Sequence, residues 1–499
     1  MMTDIVSGLL NVFHPISILI MIASLSGGVV VGTLPGLSAT MGVALLVPLT
    51  FGMDPALGLL MLGGMYVGAI YGGSNSAILI NTPGTPSAIC TTFDGFPMTK
   101  MGKPLKAMSI ALLASAFGGI IGNIFLFTAT EPLAKFSLRF GPPEYFWLAI
   151  FGLTIISSLS RENFIKGILS GSLGLLIATI GIDLMTGHER FTFGISALTS
   201  GINSIAIMIG IFAFSQVLIL VDENESYIAK TTPQPGVVLE TAKELISKFK
   251  LLLLRSSLIG TIVGIMPGAG GNIAAFVAYD VSKNASKEPE AFGKGAMAGI
   301  ASSESSNNAV CSSSLIPLFA LGIPGSPVAA VLMGGLLAHG ITPGPKLFSM
   351  HADVAYTFIL GMFLANLLLI PVGIVGMRIF VRVLNVRSHY IAIVVTVLAV
   401  IGSYAIRNSM LDVMVMFISG SIGYFVFKIG LSSGSLILGV ILGPIIEKGF
   451  SQSLLISNSE GIIQTFFLRP ISLVLIVCCI VSVFLPPLME KKFNKVGDR

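Results

Sequence analysis

The chain is short of charge. Only 10% of its 499 residues are Asp, Glu, Lys or Arg, against roughly 25% in a soluble domain. A surface that poor in charge cannot face water on every side, which excludes an ordinary soluble enzyme or binding module. Histidine and cysteine are scarce too, at 5 and 4. Cys90, Cys311, Cys478 and Cys479 lie in or beside apolar segments with no metal-ligand spacing, so they read as buried thiols, not disulfides or ligands. No Gly-x-x-x-x-Gly-Lys-Ser/Thr run occurs, which leaves no ATP-driven pump in this chain. His-Glu-x-x-His and Gly-x-Ser-x-Gly are missing as well, and an intramembrane enzyme then lacks its constellation. No Lys or Arg precedes the first apolar run, so a cleavable signal is not expected.

Apolar sequence is what the chain has instead. It is 54% hydrophobic with a mean hydropathy of +0.93. Runs such as Leu105–Ala129, Ser200–Val221, Val354–Gly376 and Ile471–Leu485 recur from end to end. They are continuously apolar and do not alternate, which specifies helices, not a barrel. About eleven to thirteen segments approach spanning length, several of them broken by Gly and Pro. The expected fold is an all-α polytopic membrane protein embedded in a lipid bilayer. The net charge of +5 does not point to nucleic acid, because the basic residues cluster in short connections. Lys100/Lys103/Lys106, Arg378/Arg382/Arg387 and the tail Lys491/Lys492/Lys495/Arg499 are placed on the cytoplasmic side by the positive-inside rule.

The sequence repeats itself. Gly32-Thr-Leu-Pro-Gly36 matches Gly264-Ile-Met-Pro-Gly268, and Ser74-Asn75 matches Ser306-Asn307, both at an offset of 232 (264 − 32 and 306 − 74). Pro83-Gly84-Thr85-Pro86 matches Pro324-Gly325-Ser326-Pro327 at 241 (324 − 83), which places nine extra residues between the last two landmarks of the second copy. The expected organisation is a first half at 1–221, a polar linker at 222–250 carrying an amphipathic helix at Val237–Lys248, and a second half at 251–499. Matching Gly/Pro interruptions in two halves are the sequence pointer to a secondary transporter's binding site.

The interruptions also have a chemistry. Pro83 and Pro86 stop a regular helix, and the next helix begins with free N–H groups at the positive end of its dipole. Ser, Thr and Asn add neutral donors, so each break is suited to a carboxylate. The candidate substrate-binding residues are Ser74, Asn75, Asn81, Thr82, Ser306 and Asn307, with the turns around Gly36, Gly84, Gly268 and Gly325. Unwound carbonyls at the same Pro-Gly breaks offer a site for Na⁺. Glu304 is the sole carboxylate between Phe292 and Gly340. At membrane depth it is a candidate for the coupling ion, with Asn308, or a cap for the helix carrying Ser306. Close helix packing is the competing reading of the Ser and Asn residues. Asp54, Asp94 and Asp280 sit in polar turns and read as interfacial. Arg161/Glu162 and His188/Glu189/Arg190 read as loop charges, and Arg255 as a snorkelling side chain.

These residues carry a family resemblance. Gly32–Gly36, Tyr71–Ser74 with Ile80–Gly84, Asp94–Pro97, Gly181–Asp183 with Thr186-Gly187, Arg190–Gly194, Ile265–Gly268, Glu304–Ala309, Leu321–Ser326 and Gly340–Pro345 resemble, in this order, the large membrane subunit of the tripartite tricarboxylate transporter family. The resemblance implies a small four-helix membrane subunit and an extracytoplasmic solute-binding protein as partners, in a bacterial inner membrane. It also implies ion-gradient-driven uptake of citrate-like carboxylates by an elevator-like movement, with no cofactor beyond a coupling Na⁺ or H⁺. One departure is Ser303, where the family motif has Pro before the glutamate. A passive anion channel is the alternative, separated from a permease by saturable, gradient-dependent uptake.

Overall fold

A computed structural model describes residues 2–34, 36–158, 164–183, 186–222, 237–266, 270–377 and 388–497. The chain is helical nearly throughout. In order the helices are α1 (Met2–Val12), α2 (Pro15–Thr33), α3 (Ala39–Leu46), α4 (Pro55–Ile80), α5 (Ile89–Lys100), α6 (Pro104–Ser137), α7 (Pro142–Ser158), α8 (Phe164–Ala178), α9 (Ser204–Ile209) and α10 (Ser215–Asp222). There follow α11 (Val237–Lys248), α12 (Lys250–Ile265), α13 (Gly270–Asn284), α14 (Met297–Ser313), α15 (Ile316–Leu321), α16 (Pro327–Ala338), α17 (Pro345–Met350), α18 (Ala352–Gly376) and α19 (Ser388–Arg407). The last are α20 (Met410–Lys428), α21 (Ser433–Glu460), α22 (Ile462–Phe467) and α23 (Pro470–Gly497). Six helices of the described residues are long and apolar enough to cross a membrane, namely α2, α4, α6, α18, α20 and most of α21. Shorter apolar helices of 10–17 residues account for the other hydrophobic segments. The chain is therefore an all-α polytopic membrane protein.

By packing, the chain divides into two compact units, one of 1–134 with 216–406 and the other of 135–215 with 407–499. In the second unit a two-residue hairpin pairs Gly181 with Arg190 and Ile182 with Glu189. Arg190 there pairs with Asp183 at 3.2 Å and with Glu447 at 2.5 Å, and Arg469 pairs with the buried Glu144 at 2.8 Å. Arg161, Glu162 and the Arg378–Arg387 cluster lie outside the described residues.

The first unit holds every landmark of the repeat. Its helices start where the local chemistry dictates. Asp54 caps α4 by accepting from the amides of Ala56 and Leu57, with Pro55 at the first helical position, as N-terminal preferences require. α4 is apolar all round and is buried continuously from Leu62 to Leu79, the pattern of a helix enclosed on every side. It ends at Asn81, which takes a left-handed φ of 57°. The expected linker helix forms at Val237–Lys248.

Two spacings recur among the helix ends of this unit. α2 and α12 end at Thr33 and Ile265, 232 apart (265 − 33). α4 and α15, however, end at Ile80 and Leu321, 241 apart (321 − 80), each followed by a left-handed residue, Asn81 or Gly322. The Gly84 amide donates to the Gly73 carbonyl at 3.2 Å, and the Gly325 amide donates to the Ser314 carbonyl at 3.2 Å, again 241 on (314 − 73). A Cβ at Gly84 would collide with the Gly32 carbonyl, and one at Gly325 would fall 3.2 Å from the Gly264 carbonyl. The nine extra residues therefore lie between the starts of α13 and α14, not between the Ser-Asn and Pro-Gly landmarks. At the 241 spacing Asn307 corresponds to Tyr66 (307 − 66 is 241), whereas Ser74-Asn75 and Ser306-Asn307 are 232 apart. A loop absorbs an insertion at little entropic cost, whereas a break wedged against a helix end cannot shift.

Candidate substrate site

α14 is the unusual element. It is buried continuously from Gly299 to Ser313, although nine of those residues are Ser, Glu or Asn. Buried polar groups need partners, and most of the serines find them one turn back. Ser302 and Ser303 donate to the Gly299 carbonyl at 3.1 and 2.9 Å, and Ser313 to that of Ala309 at 2.9 Å. Ser306 donates across to the Ala274 carbonyl of α13 at 2.9 Å. Small residues let the neighbours come close: a Cβ at Gly118 or Gly122 of α6, or at Gly260 of α12, would collide with an α14 backbone carbonyl.

Glu304 lies in mid-helix and is fully buried, so it caps nothing. Its carboxylate accepts from the Thr91 hydroxyl of α5 and from the Ser115 hydroxyl of α6 at 3.2 Å. Asn308 donates to the same Ser115 hydroxyl at 2.8 Å and to the Glu304 carbonyl at 3.2 Å. Among the described residues no ion pair reaches Glu304. Thr91 and Ser115 were not legible as site residues, since a hydroxyl in an apolar run carries no distinguishing pattern.

The cap of α14 comes from Asp94, far away in sequence. This residue is fully buried, not interfacial. Its Oδ1 accepts from the amides of Gly293, Gly295 and Ala296 at 2.9, 2.9 and 2.7 Å, and its Oδ2 from the Tyr279 hydroxyl at 2.9 Å. The turn signals around Asp94 suggested solvent, whereas the donors come from about two hundred residues on. Asp54 and Asp280 are exposed, and Arg255 donates to the Ser282 hydroxyl at 3.2 Å.

The expected site residues separate into two kinds. Ser74 turns its hydroxyl back to the Tyr71 carbonyl at 2.7 Å. Asn75 donates to the Thr33 hydroxyl at 3.3 Å, and its Oδ1 has no partner among the described residues. Thr82 donates weakly to the Ile80 carbonyl at 3.4 Å, and Asn81 is exposed at its turn. Gly36 takes a left-handed φ of 83°, and Gly268 lies outside the described residues. Asn307 stands apart. It is 1% exposed, and neither its Nδ2 nor its Oδ1 has a hydrogen-bond partner among the described residues. It faces the start of α13: a Cβ at Gly271 would lie 2.5 Å from its Oδ1 and 3.0 Å from the Ser87 Cβ. No cluster of three or more His, Cys, Asp or Glu that could hold a metal occurs among the described residues.

Residues 18–438 match the tripartite tricarboxylate transporter TctA family. The chain belongs to that family. Two relatives are from Agrobacterium vitis. One, named "Uncharacterized 52.8 kDa protein in TAR-I ttuC' 3'region", is 36% identical over 499 residues, 98% of this chain and 98% of its own length. The other, "Uncharacterized protein in TAR-II ttuC' 3'region", is 34% identical over 236 residues, 47% of this chain and 97% of its own length. A TctA chain is a component of a tripartite tricarboxylate transporter and not an enzyme. In this TctA chain α14 is buried from Gly299 to Ser313 and largely polar, and Asn307 is its side chain with an unused donor among the described residues.

Proposed function

We propose that this TctA chain is the permease subunit for ion-gradient-driven uptake of a di- or tricarboxylate across the bacterial inner membrane. It works with a small four-helix membrane subunit and receives its substrate from an extracytoplasmic solute-binding protein. The observation that carries the reading is the pair of breaks, Asn81–Pro86 and Gly322–Ser326, beside the buried Asn307, whose Nδ2 donor has no partner among the described residues; Asn75 and Asn308 keep only their Oδ1 acceptors unused. Neutral donors hold an anion without leaving a fixed buried charge when the site is empty. We further propose that the halves at 1–221 and 251–499, joined by 222–250, are copies of one unit. Glu304 with Asn308 takes the coupling ion in this reading.

The test is uptake of radiolabelled citrate and succinate by cells expressing the chain with both partners. Saturable accumulation that stops when the ion gradient is collapsed, or when the binding protein is omitted, supports the permease. Entry that only equilibrates, indifferent to gradient and binding protein, sinks it in favour of a passive anion channel. Asn75→Ala and Asn307→Ala should each lower uptake at normal expression, and unchanged uptake in both would remove the breaks as the site.

A further inference from the structure

The two halves present different chemistry at equivalent places, and the difference has one direction. In the first half, α3 begins at Ala39, and Ser38 closes its N-terminus by accepting from the Met41 amide at 3.1 Å. At the offset of 232 (270 − 38), the residue standing for Ser38 is Gly270, which has no side chain to do likewise, and the residue standing for Ala39 is Gly271. At the offset of 241, the residue standing for Asn307 in the first half is Tyr66, whose hydroxyl lies 3.3 Å from the Ser314 hydroxyl. Facing α13, the equivalent residue is Asn307, smaller, buried and without a partner on either side-chain atom among the described residues. The turn after α4 contributes Ser87, whose hydroxyl lies 3.3 Å from the Thr85 hydroxyl and can accept from it while donating elsewhere, and whose equivalent in the other half is the apolar Val328 (328 − 87 is 241).

All four positions change together. At α3 the helix end is self-capped by Ser38, and the residues at the equivalent offsets are an aromatic ring, Tyr66, and a valine, Val328. At α13 it is met by two glycines, a serine and an unpaired amide. We propose that a substrate carboxylate is received at one of the two breaks alone, by the Asn307 Nδ2, the Ser87 hydroxyl and the first-turn amides of α13. At the equivalent place in the other half, Ser38 and Tyr66 do the substrate's part. A helix N-terminus favours an anion through its free amides and its dipole. α13 is a 15-residue helix with such an end, and Asn307 is the buried, unpartnered amide beside it: its Oδ1 lies 2.5 Å from where a Gly271 Cβ would stand, and rotation of the amide turns Nδ2 to a bound anion. The subsite rests on the carboxylate reading above and narrows it from two facing anion sites to one.

The experiment uses the assembled transporter with two readouts: citrate and succinate uptake, and the protection these anions give the purified membrane complex against heating. Asn307→Ala and Ser87→Ala should each raise the citrate concentration for half-maximal protection by roughly tenfold, the loss of one good hydrogen bond to a charged group. Asn307→Asp, which sets a carboxylate against a carboxylate, should abolish both protection and uptake. Tyr66→Phe should leave the half-maximal concentration within about twofold, since its hydroxyl already has a protein partner. Size-exclusion profiles establish assembly, and Ser87→Ala carries the test where an Asn307 variant does not assemble. The subsite is overturned if Asn307→Asp keeps wild-type protection, or if Tyr66→Phe weakens it as much as Asn307→Ala. Wild-type complex that neither moves nor is protected by either anion overturns the carboxylate reading itself, and the subsite with it.

Discussion

Asp94 accepts a hydrogen bond from the Ala296 amide at 2.7 Å and so caps α14 from the other half of the chain. Ala296 has no side chain that could cap α14 for itself. The Asp94 carboxylate takes that role and places a negative charge at the positive end of the helix. Asp94→Ala removes the acceptor of three part-buried amides and should cost about 2 kcal/mol. Asp94→Asn keeps an acceptor and should lose roughly half as much. Melting of the purified protein in detergent checks the order, and an alanine variant as stable as wild type would show that α14 starts without this cap.

Gly84 and Gly325 make the same demand in both halves. Each sits where its amide reaches a helix carbonyl at 3.2 Å and where a side chain has no room. At Gly325 a Cβ would lie 2.5 Å from the Ser314 carbonyl oxygen, which is backbone and cannot swing aside. Gly84→Ala and Gly325→Ala should each destabilise the first unit by about 3 kcal/mol or more, the range for forced overpacking and strain in a core. Yield of monodisperse protein reports it. Tolerance of alanine at both places would mean that the break geometry is looser than the close approaches imply.

How much of this the sequence disclosed depends on the range of the interaction. α11 was legible to the residue, because its amphipathic pattern and its polar flanks are local. The breaks at Pro83 and Pro324 were legible for the same reason: proline acts on its own turn. The repeat was visible, but its register was not. Ser74-Asn75 and Ser306-Asn307 match as letters, while the structure aligns the halves by where Gly73 and Ser314 receive the next break. Asp94 was misplaced because Gly95, Pro97 and Lys100 beside it look like a surface turn, and its donors lie in a remote loop. Asn307 was named from its match to Asn75. What singles it out is the missing partner, which only the fold reveals.

At the linker helix the electrostatics are testable. Glu244 of α11 meets Lys106 at 2.8 Å and Lys248 at 3.1 Å, and the Lys106 and Lys248 hydrogen bonds hold its carboxyl below the ordinary glutamate range. A depressed folded-state pKa stabilises above the unfolded value and is lost as pH falls through the folded one. The contact should therefore hold α11 in place at neutral pH and release it only under acid. Partial exposure limits its worth to about 1 kcal/mol or less, and salt should weaken it. Hydrogen exchange in α11 should rise several-fold in acid, or on Lys106→Ala at neutral pH, with the rest of the chain unmoved. No change in the Lys106 variant would mean that burial of Thr241 and Leu245 alone holds the helix.

Glu304 offers the sharpest separation of coupling from scaffolding. Its side chain joins α14 to α5 through Thr91 and to α6 through Ser115, with Tyr71 and Cys311 as titratable neighbours. Hydroxyls donate to a carboxylate and accept from a carboxylic acid equally well. The ring of Thr91 and Ser115 can therefore hold the group in either protonation state with the same atoms. Glutamine is close in shape to the protonated form and can make the same contacts, but it cannot release a proton. A purely structural Glu304 predicts that Glu304→Gln accumulates citrate like wild type. A coupling Glu304 predicts a split: exchange of internal for external citrate persists, because the empty and loaded carriers still interconvert, while net accumulation against a gradient is lost. Counterflow and accumulation measured on the same vesicles decide between them, with Glu304→Ala as the variant that breaks the hydroxyl ring in both cases. Loss of counterflow in Glu304→Gln alongside normal assembly would instead place the residue in substrate binding, since coupling alone leaves exchange intact.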